Sequence, residues 1–276
     1  MSAVRVLFVF LAFGWSTKTS WAEIIVPHGT WAAVINFEET VVDANRGRFA
    51  GKGIAASPGD GQLDSDSWMF AGFSDGDSVI GQNSSSGDLA RGIHSGGVRS
   101  GGLYAFETSA LNRVLGVQAT GSDFSPGWIQ LSIATSMAER LWELSFDWWV
   151  FNDKPRSTLL QTEISIDGIL FTALPAAEWT TPLLPSASPQ WRRHSRLIGF
   201  DFDAAPTNLW VRWKVSDFAG SGSRDEFGID NIRIHVGAVP VTVPTPEPTS
   251  GGMLASLIVA VVAYRYVLAT FRNRCR

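Results

Sequence analysis

The sequence predicts an all-β protein that folds as a two-sheet antiparallel β-sandwich. The 276 residues include 12 Trp, 17 Phe and 27 Gly, and only 17% of them are charged. Many aromatic residues together with many glycines suit short strands joined by tight turns, whereas so low a charge argues against disorder. Mean hydropathy is +0.08, which is too polar for a protein that crosses a membrane many times.

Residues 1–22 have the features of a secretory signal peptide. Arg5 supplies a positive charge before the apolar run 6–15, and Ser20 and Ala22 place small residues at the −3 and −1 positions of a cleavage site. We therefore predict cleavage after Ala22 and export of the chain. A buried N-terminal strand is the alternative.

Residues 23–240 are predicted to form one β-sandwich domain. Strand-like runs alternate with clusters of Gly, Asn, Asp, Ser and Pro, without a convincing helix between them. About ten or eleven strands in roughly 210 residues fit two packed sheets. The predicted strands are 30–37, 67–73, 103–108, 114–119, 128–135, 141–151, 159–167, 170–174, 197–202, 209–215 and 227–236. The segment 44–102, rich in Gly, Ser and Asp, is predicted to form long loops with one or two strands along one rim.

Apolar and polar residues alternate most clearly in three of these runs. The even-numbered residues of 141–151 are apolar, as are the odd-numbered residues of 209–215 and of 128–133. Successive side chains of a strand point to opposite faces, so these apolar sets are predicted to face the core.

The C-terminus has the pattern of a linker followed by a membrane-spanning helix. Residues 241–250 are rich in proline and predict an extended linker. The stretch from Gly251 to Phe271 is long enough to span a bilayer with some tilt, and Arg265 within it can snorkel to the interface. The arginines near the end of 251–276 should remain cytoplasmic.

Pro246-Glu247-Pro248, here called the PEP motif, precedes this apolar helix and its terminal arginine cluster. The arrangement resembles the PEP-CTERM sorting tail of Gram-negative bacteria. The resemblance implies an exosortase and the secretion machinery as partners, with an inner-membrane anchor before processing and the cell surface or extracellular matrix afterwards. A simple C-terminal membrane anchor is the alternative.

The exported region is acidic. Removing both predicted targeting segments leaves 16 of the 22 Lys and Arg residues beside all 26 Asp and Glu residues, a formal charge of about −10. Because phosphate binding needs a basic surface, this charge argues against nucleic acid as a partner. The single cysteine, Cys275, lies in the tail, so no disulfide is expected in the exported domain.

Sequence motifs for catalysis are weak, and no catalytic residue is predicted. The run 72–76 matches G-x-S-x-G around Ser74, but the residues after it do not begin a helix, as a nucleophile elbow requires. A turn in which Ser74 and Asp75 cap the backbone is the favoured interpretation. The four histidines are scattered and show no zinc-binding spacing.

Two carboxylates near the ends of the domain are candidate ligands for Ca²⁺. Glu38 closes the first predicted strand, and Asp230 lies in the last one, where the alternation slips. A buried carboxylate needs a partner or a metal, and Ca²⁺ prefers several oxygen ligands. If the first and last strands are neighbours, these two residues can meet. For the preceding residues Arg224, Asp225 and Glu226, the favoured interpretation is a salt-bridged turn that holds the last strand.

The residues 36–38 and 229–232 resemble jelly-roll carbohydrate-binding modules of the galactose-binding-like type. That resemblance implies a jelly-roll fold, and in several such modules a structural calcium lies between the terminal strands. The span 63–227 also resembles a module of secreted marine-bacterial proteins that has no established activity.

Trp149 and Trp210 occur on the polar faces of their predicted strands, Trp210 next to Arg212 in the alternation. Aromatic faces beside polar groups can bind sugar rings, so these three residues are candidates for ligand binding. The favoured alternative is that both tryptophans lie under a loop or a second layer.

These features predict a non-enzymatic, exported β-sandwich protein that binds glycan in the extracellular polysaccharide matrix. A secreted polysaccharide hydrolase and a purely structural matrix component are the alternatives. Clustered carboxyl groups with shifted pKa values in a cleft would favour the hydrolase.

Overall fold

The structure of the protein is a computed structural model that describes residues 24–29 and 34–237. The predicted signal peptide and its cleavage site, the PEP motif and the predicted membrane helix all lie outside these residues. No helix in the two described ranges is long and apolar enough to cross a membrane.

The described residues form sixteen strands and two single-turn 3₁₀ helices, Gly87–Leu89 and Pro175–Ala177. The strands are β1 (Ile24–Val26), β2 (Asn45–Arg46), β3 (Ile54–Ala55), β4 (Gln62–Asp64), β5 (Trp68–Ala71), β6 (Ile93–His94), β7 (Gly102–Ser109), β8 (Asn112–Gln118), β9 (Gly127–Thr135), β10 (Leu141–Phe151), β11 (Arg156–Ser165), β12 (Thr172–Ala173), β13 (Trp179–Thr180), β14 (Trp191–Asp201), β15 (Asn208–Gly220) and β16 (Glu226–Val236).

The strands form two large sheets and one small one. Sheet A has seven strands on the path β1-β9-β15-β11-β12, with β5 beside β9 and β13 beside β11, and sheet B has the order β14-β10-β16-β8-β7-β6. Most pairs are antiparallel, while β1–β9, β3–β4 and β6–β7 are parallel. From β9 onward, the long strands alternate between the two sheets. The predicted β-sandwich is therefore confirmed.

The core lies between the two sheets and consists of the apolar residues of the alternating runs. Every residue that the alternation predicts to face inward in β9, β10 and β15 is buried. Several aromatic rings meet in this core. Phe146 of β10 meets Trp213 of β15 edge to face at a centroid distance of 5.6 Å, and Trp68 of β5 packs on Trp213 at 6.4 Å. Such tilted ring pairs stabilise a core beyond the area they bury.

The strand β14 begins six residues earlier than the sequence predicts, at Trp191 instead of 197. After Trp191, the next residues are polar and include Arg192 and Arg193, so no hydrophobic pattern marks them as a strand. Backbone pairing with the full length of β10 holds them in the sheet. Tertiary pairing therefore decides the boundary of this edge strand, and local pattern does not.

The rim segment 44–102 contains more strands than predicted. The strands β2, β3 and β4 form the small third sheet, whereas β5 joins sheet A and β6 joins sheet B. The prediction of one or two strands was therefore wrong. Each of these strands has only two to four residues, which is too short for an alternating pattern to be recognised.

Candidate functional site

The outward face of sheet A combines aromatic and polar side chains. Because the alternate residues of β9 and β15 face the core, Trp128, Gln130, Trp210 and Arg212 lie on the opposite side of the sheet. Gln130 and Arg212 are directly opposed across the two central strands. The two tryptophans and Arg212 are half-buried, so each keeps part of its surface in contact with solvent.

The guanidinium group of Arg212 is held between two aromatic rings. Its Cζ atom lies 4.3 Å from the ring centroid of Trp128 and 3.5 Å from that of Phe171. Nε and Nη2 of Arg212 donate hydrogen bonds to Oε1 of Gln130 at 3.2 and 2.8 Å. Burial lowers the pKa of Arg212 below its usual value, but an arginine in a protein remains charged at neutral pH. Cation–π contacts on two sides therefore fix both rings.

Trp210 lies two residues from Arg212 on β15, about 7 Å along the strand. Its ring packs beside the turn 166–171, where a Cβ atom on Gly168 would lie 3.2 Å from Cε2 of Trp210. Backbone N–H groups of Ile169 and Leu170 donate to Oδ1 of Asp167 at 2.8 Å each, which holds the turn and lowers the pKa of Asp167. We call Trp128, Phe171, Trp210 and Arg212 the aromatic platform.

Hydrogen-bonding side chains adjoin the aromatic platform on β11 and β15. Lys214 is 3.4 Å from the carboxylate of Glu163, and both are partly exposed. On β11, Glu163 lies directly opposite Arg212. The platform therefore offers flat apolar surfaces next to donors and acceptors, which is the combination that a sugar ring requires.

Trp149 does not belong to the platform. It lies on β10 in sheet B and packs with Trp191 against a second small core of Val98, Tyr104, Phe106 and Val114. Trp191 in turn donates a hydrogen bond from Nε1 to the carbonyl oxygen of Ser95 at 2.7 Å, which ties the segment 95–98 to this outer surface. Of the three predicted ligand-binding residues, the structure brings together Trp210 and Arg212 and places Trp149 on the other sheet.

Sequence analysis did not select Trp128 and Phe171 as site residues. The alternation in 128–133 placed Trp128 on the polar face, so the same reasoning that selected Trp210 could have found it. Phe171 follows a turn rather than belonging to an alternating strand, and no sequence signal marks its contact with Arg212.

The predicted contact between the first segment and the last strand is present. Ile35 and Ile232 form an isolated antiparallel bridge with two backbone hydrogen bonds of 3.0 Å. Asp230 is fully buried and accepts hydrogen bonds from the backbone N–H of Asn231 at 2.7 Å and from Nδ2 of Asn112 at 3.2 Å. Asn231 has a φ of 52° at the point where the sequence alternation slips.

The two carboxyl groups of this region interact electrostatically. Burial, followed by the nearby charge of Glu38, raises the pKa of Asp230 to about 8. Burial also raises the pKa of Glu38, although the backbone N–H of Arg113 donates to its Oε1 at 2.6 Å. Asp147, whose Oδ2 accepts from Nδ2 of Asn231 at 2.9 Å, is a third nearby carboxylate. The fold therefore gathers three carboxyl groups here, of which Asp147 lies 3.8 Å from Nη1 of Arg193.

These residues supply the oxygen atoms that Ca²⁺ prefers, but not in a ligating arrangement. Among residues 24–29 and 34–237, no group of three or more His, Cys, Asp or Glu side chains is placed to hold a metal ion. Side-chain amides of Asn112 and Asn231 donate N–H groups to Asp230. A bound cation would need at least one of these amide groups to rotate so that its oxygen atom, in place of its N–H group, faces the ion.

Arg224, Asp225 and Glu226 form the turn before the last strand. Arg224 is buried, forms an ion pair with Asp217 at 2.5 Å and donates from Nη1 to the carbonyl oxygen of Phe124 at 3.0 Å. Oδ1 of Asp225 accepts backbone N–H groups of the 153–154 segment, and Oε1 of Glu226 accepts that of Val98 at 2.6 Å. These residues do support β16, but the expected salt bridge within the turn is replaced by an ion pair of Arg224 with Asp217 on β15 and by backbone hydrogen bonds to Asp225 and Glu226.

Ser74 of the G-x-S-x-G run is part of a hydrogen-bonded turn. Its hydroxyl donates to Oδ2 of Asp88 at 2.8 Å, and its backbone N–H donates to Oδ1 of Asp123 at 2.8 Å. No helix follows Ser74 within the described residues 75–86. Although burial opposes it, hydrogen bonds from Ser74, Thr120 and Ser122 lower the pKa of Asp123 to about 2. The run is therefore a turn, in which Asp75 accepts the backbone N–H of Asp88 as expected, while the hydroxyl of Ser74 bonds to a side chain instead of capping the backbone.

No family model matches the sequence, and no curated protein matches it. Solved structures do resemble the chain. The CBM22-1 xylan-binding domain of a xylanase from Paenibacillus barcinonensis is 10% identical, covers 76% of this chain and 97% of its own, and has a TM-score of 0.38. A carbohydrate-binding module specific for non-crystalline cellulose, CBM28, is 12% identical with coverages of 71% and 99% and a TM-score of 0.37.

A bacteriophage CBA120 tailspike protein, in its enzymatically active domain, is 11% identical over 50% of this chain and has a TM-score of 0.32. This match spans only 18% of the tailspike chain. At these TM-scores, similarity to solved structures carries no argument about the function of this protein.

Proposed function

We propose that the protein is an exported, non-catalytic binding protein that holds an extracellular polysaccharide on the outward face of sheet A. The observation that supports this proposal is the aromatic platform. Three aromatic rings, fixed by Arg212 and by the turn 166–171, keep partial solvent contact beside hydrogen-bonding side chains. Sugar rings stack on such surfaces through their apolar faces while their hydroxyl groups bond to the polar neighbours.

A neutral polysaccharide suits this face best. Lys214 is already paired with Glu163, and Arg212 donates two hydrogen bonds to Gln130 between its two rings. The exported region as a whole is acidic, so an acidic polymer lying along the sheet would be repelled at long range. Stacking and hydroxyl hydrogen bonds require no ligand charge.

The strand order supports a jelly-roll assignment within the sandwich class. Successive long strands from β9 to β16 cross from one sheet to the other, as a jelly-roll winding requires. This winding places the platform strands β9, β11 and β15 side by side, although long stretches of chain separate them.

Ca²⁺ between the terminal segments is a further part of the proposal. Glu38, Asp147 and Asp230 lie together at the Ile35–Ile232 bridge, where burial and the charge of Glu38 raise the pKa of Asp230. A bound Ca²⁺ would neutralise the cluster and attach the first segment to the last strand.

Sorting to the cell surface rests on the sequence of the two ends. The signal peptide would direct export, and the tail would hold the chain in the inner membrane until an exosortase recognises the PEP motif. Replacing Pro246 and Pro248 by Ala should leave the unprocessed chain in the membrane fraction of the native host. Unchanged release into the extracellular fraction would contradict this sorting route.

The three carboxyl groups whose pKa values are raised to about 7 or 8 give no support to a hydrolase. Asp225, Glu226 and Asp230 are at most 3% exposed, and each accepts backbone N–H groups. A glycosidase needs two carboxyl groups that a substrate can reach. These three side chains organise loops, so the binding function is the better explanation of the structure.

The test is glycan binding by the full-length chain and by Trp210→Ala. Neutral polysaccharides such as xylan and amorphous cellulose are titrated against each protein. Loss of one stacking ring should weaken binding about tenfold, or 1.4 kcal/mol. Phe218→Ala is the matched control, because it removes an exposed ring of the same strand, six residues beyond Arg212. Equal effects of the two variants, or no binding by the parent chain, would count against the platform.

A further inference from the structure

A second concave site lies between the two sheets, at the open edge of the sandwich formed by β13 and β14. It is a cavity of about 400 Å³ lined by Val150, Asn152, Trp179, Pro182, Arg192 and His194. Small-molecule sites commonly measure roughly 300–1,000 Å³, so the cavity can hold a ligand of one or two sugar rings. It faces the edge of the sandwich, whereas the aromatic platform covers the outward face of sheet A.

An aromatic wall closes one side of this cavity. Trp179 of β13 stacks on His194 of β14 with their ring centroids 3.6 Å apart. The strands belong to different sheets, so the stacked pair bridges the open edge. Burial, with the charges of Arg196 and Arg192, lowers the pKa of His194 and favours its neutral ring at pH 7. The wall is therefore a flat and uncharged surface.

The cavity also contains a buried acceptor without a partner. Asn152 is 9% exposed, and its Nδ2 donates to the carbonyl oxygen of Leu184 at 3.0 Å, which fixes the orientation of the amide. Oδ1 of Asn152 accepts no hydrogen bond from the described residues. Buried polar atoms are nearly always paired, so this oxygen is an exception in the wall of the cavity, but it has almost no accessible surface of its own.

The rim of the cavity carries a positive charge, that of Arg192, which also lacks a partner among the described residues. The strand β14 carries three arginines within five residues, in a domain that is acidic overall. Arg193 lies 3.8 Å from the carboxylate of Asp147, and Arg196 donates to the carbonyl oxygen of Glu178 at 3.2 Å. Arg192 forms no ion pair with any residue of the described ranges, and its guanidinium group is exposed. An anionic ligand group is the partner that this arrangement lacks.

We propose that this cavity binds a single carboxylated sugar unit. The sugar ring lies against the wall of Trp179 and His194, and the carboxylate pairs with Arg192. This site is separate from the aromatic platform, both in position and in ligand chemistry. It does not depend on the proposed function of the platform.

The experiment measures glucuronate binding to the full-length chain at pH 7, in a detergent without a sugar headgroup. Glucose, which has the same ring without the carboxylate, is the ligand control. Saturable glucuronate binding in the millimolar range is expected, and Arg192→Gln should weaken it at least about tenfold. Arg193→Gln is the matched variant, since it removes the same charge from the opposite face of β14 and should change the affinity less than about threefold.

Three outcomes would overturn the proposal. If glucuronate binding does not saturate up to about 50 mM, the cavity does not bind this class of ligand. Equal losses for Arg192→Gln and Arg193→Gln would indicate attraction to a basic strand only. Equal affinities for glucose and glucuronate would exclude recognition of the carboxylate. The variant Trp210→Ala should leave glucuronate binding unchanged, so that failure at the platform and failure at the cavity are distinguishable.

Discussion

At the scale of single residues, Arg212 decides the character of the candidate site. Its charge would ordinarily be taken as an electrostatic contact for a ligand. In the structure, the planar guanidinium group is instead a spacer between Trp128 and Phe171 and a double donor to Gln130. The sequence predicted that Arg212 and Trp210 share a face, because alternation is a local property. It could not predict the three partners of Arg212, because all of them come from other segments of the chain.

We predict that Arg212→Lys weakens glycan binding and lowers stability, although the positive charge is conserved. Lysine cannot stack between two rings or donate in the same planar geometry. The expected loss is about 1 kcal/mol in the free energy of unfolding, measured by urea denaturation. Arg233→Lys, at an exposed position of β16, is the control and should change stability by less than about 0.5 kcal/mol. Equal effects of the two substitutions would contradict the role of the stack.

At the scale of elements, the short terminal segment around Ile35 determines whether the acidic cluster forms. Two backbone hydrogen bonds to Ile232 bring Glu38 to the last strand, close enough for its charge to raise the pKa of Asp230. The proximity of Glu38 and Asp230 was predicted from the resemblance to jelly-roll modules and from the assumption that the first and last strands are neighbours. The sequence did not predict Asp147, because the register between β10 and β16 places that residue opposite Asp230.

We predict that Ca²⁺ raises the melting temperature of the protein relative to the same sample with chelator. At about 100 times the dissociation constant, the stabilisation is about 2.7 kcal/mol, which corresponds to a rise of roughly 5–10 °C for a domain of this size. Glu38→Gln and Asp230→Asn should each abolish the rise, and Glu39→Gln, an exposed neighbour, should retain it. Identical melting curves with calcium and with chelator would remove Ca²⁺ from the proposed function.

At the scale of the whole molecule, buried carboxyl groups link stability to pH. Burial raises the pKa of Asp225 and Glu226 to about 7 and that of Asp230 to about 8. An unfolded carboxyl group titrates near 4, so between about pH 4 and pH 8 the folded protein binds more protons than the unfolded chain. The free energy of unfolding must therefore fall as pH rises through this window.

We predict that the domain loses stability between pH 5 and pH 8.5, by up to about 1.4 kcal/mol per pH unit for each titrating group. His194 acts in the opposite direction, because its pKa is lowered, but it is one group against three. Asp230→Asn should flatten the upper part of the profile, between about pH 7 and pH 8.5. Urea denaturation at a series of pH values, in the presence of chelator, measures the slope. A profile that rises over this range in the parent protein would refute the assignment.

The sequence by itself determined the fold class and the faces of the long strands. Apolar and polar residues alternate along a strand, and this alternation depends only on neighbouring residues. The residues of β9, β10 and β15 that face the core could therefore be identified without a structure. The signal peptide, the sorting role of the PEP motif and the membrane helix remain predictions from sequence patterns. Only the tertiary structure decided which strands are neighbours, and with them the aromatic platform, the acidic cluster and the edge cavity. These sites join residues from distant parts of the chain, and the pairing that joins them depends on long-range packing that no local pattern encodes.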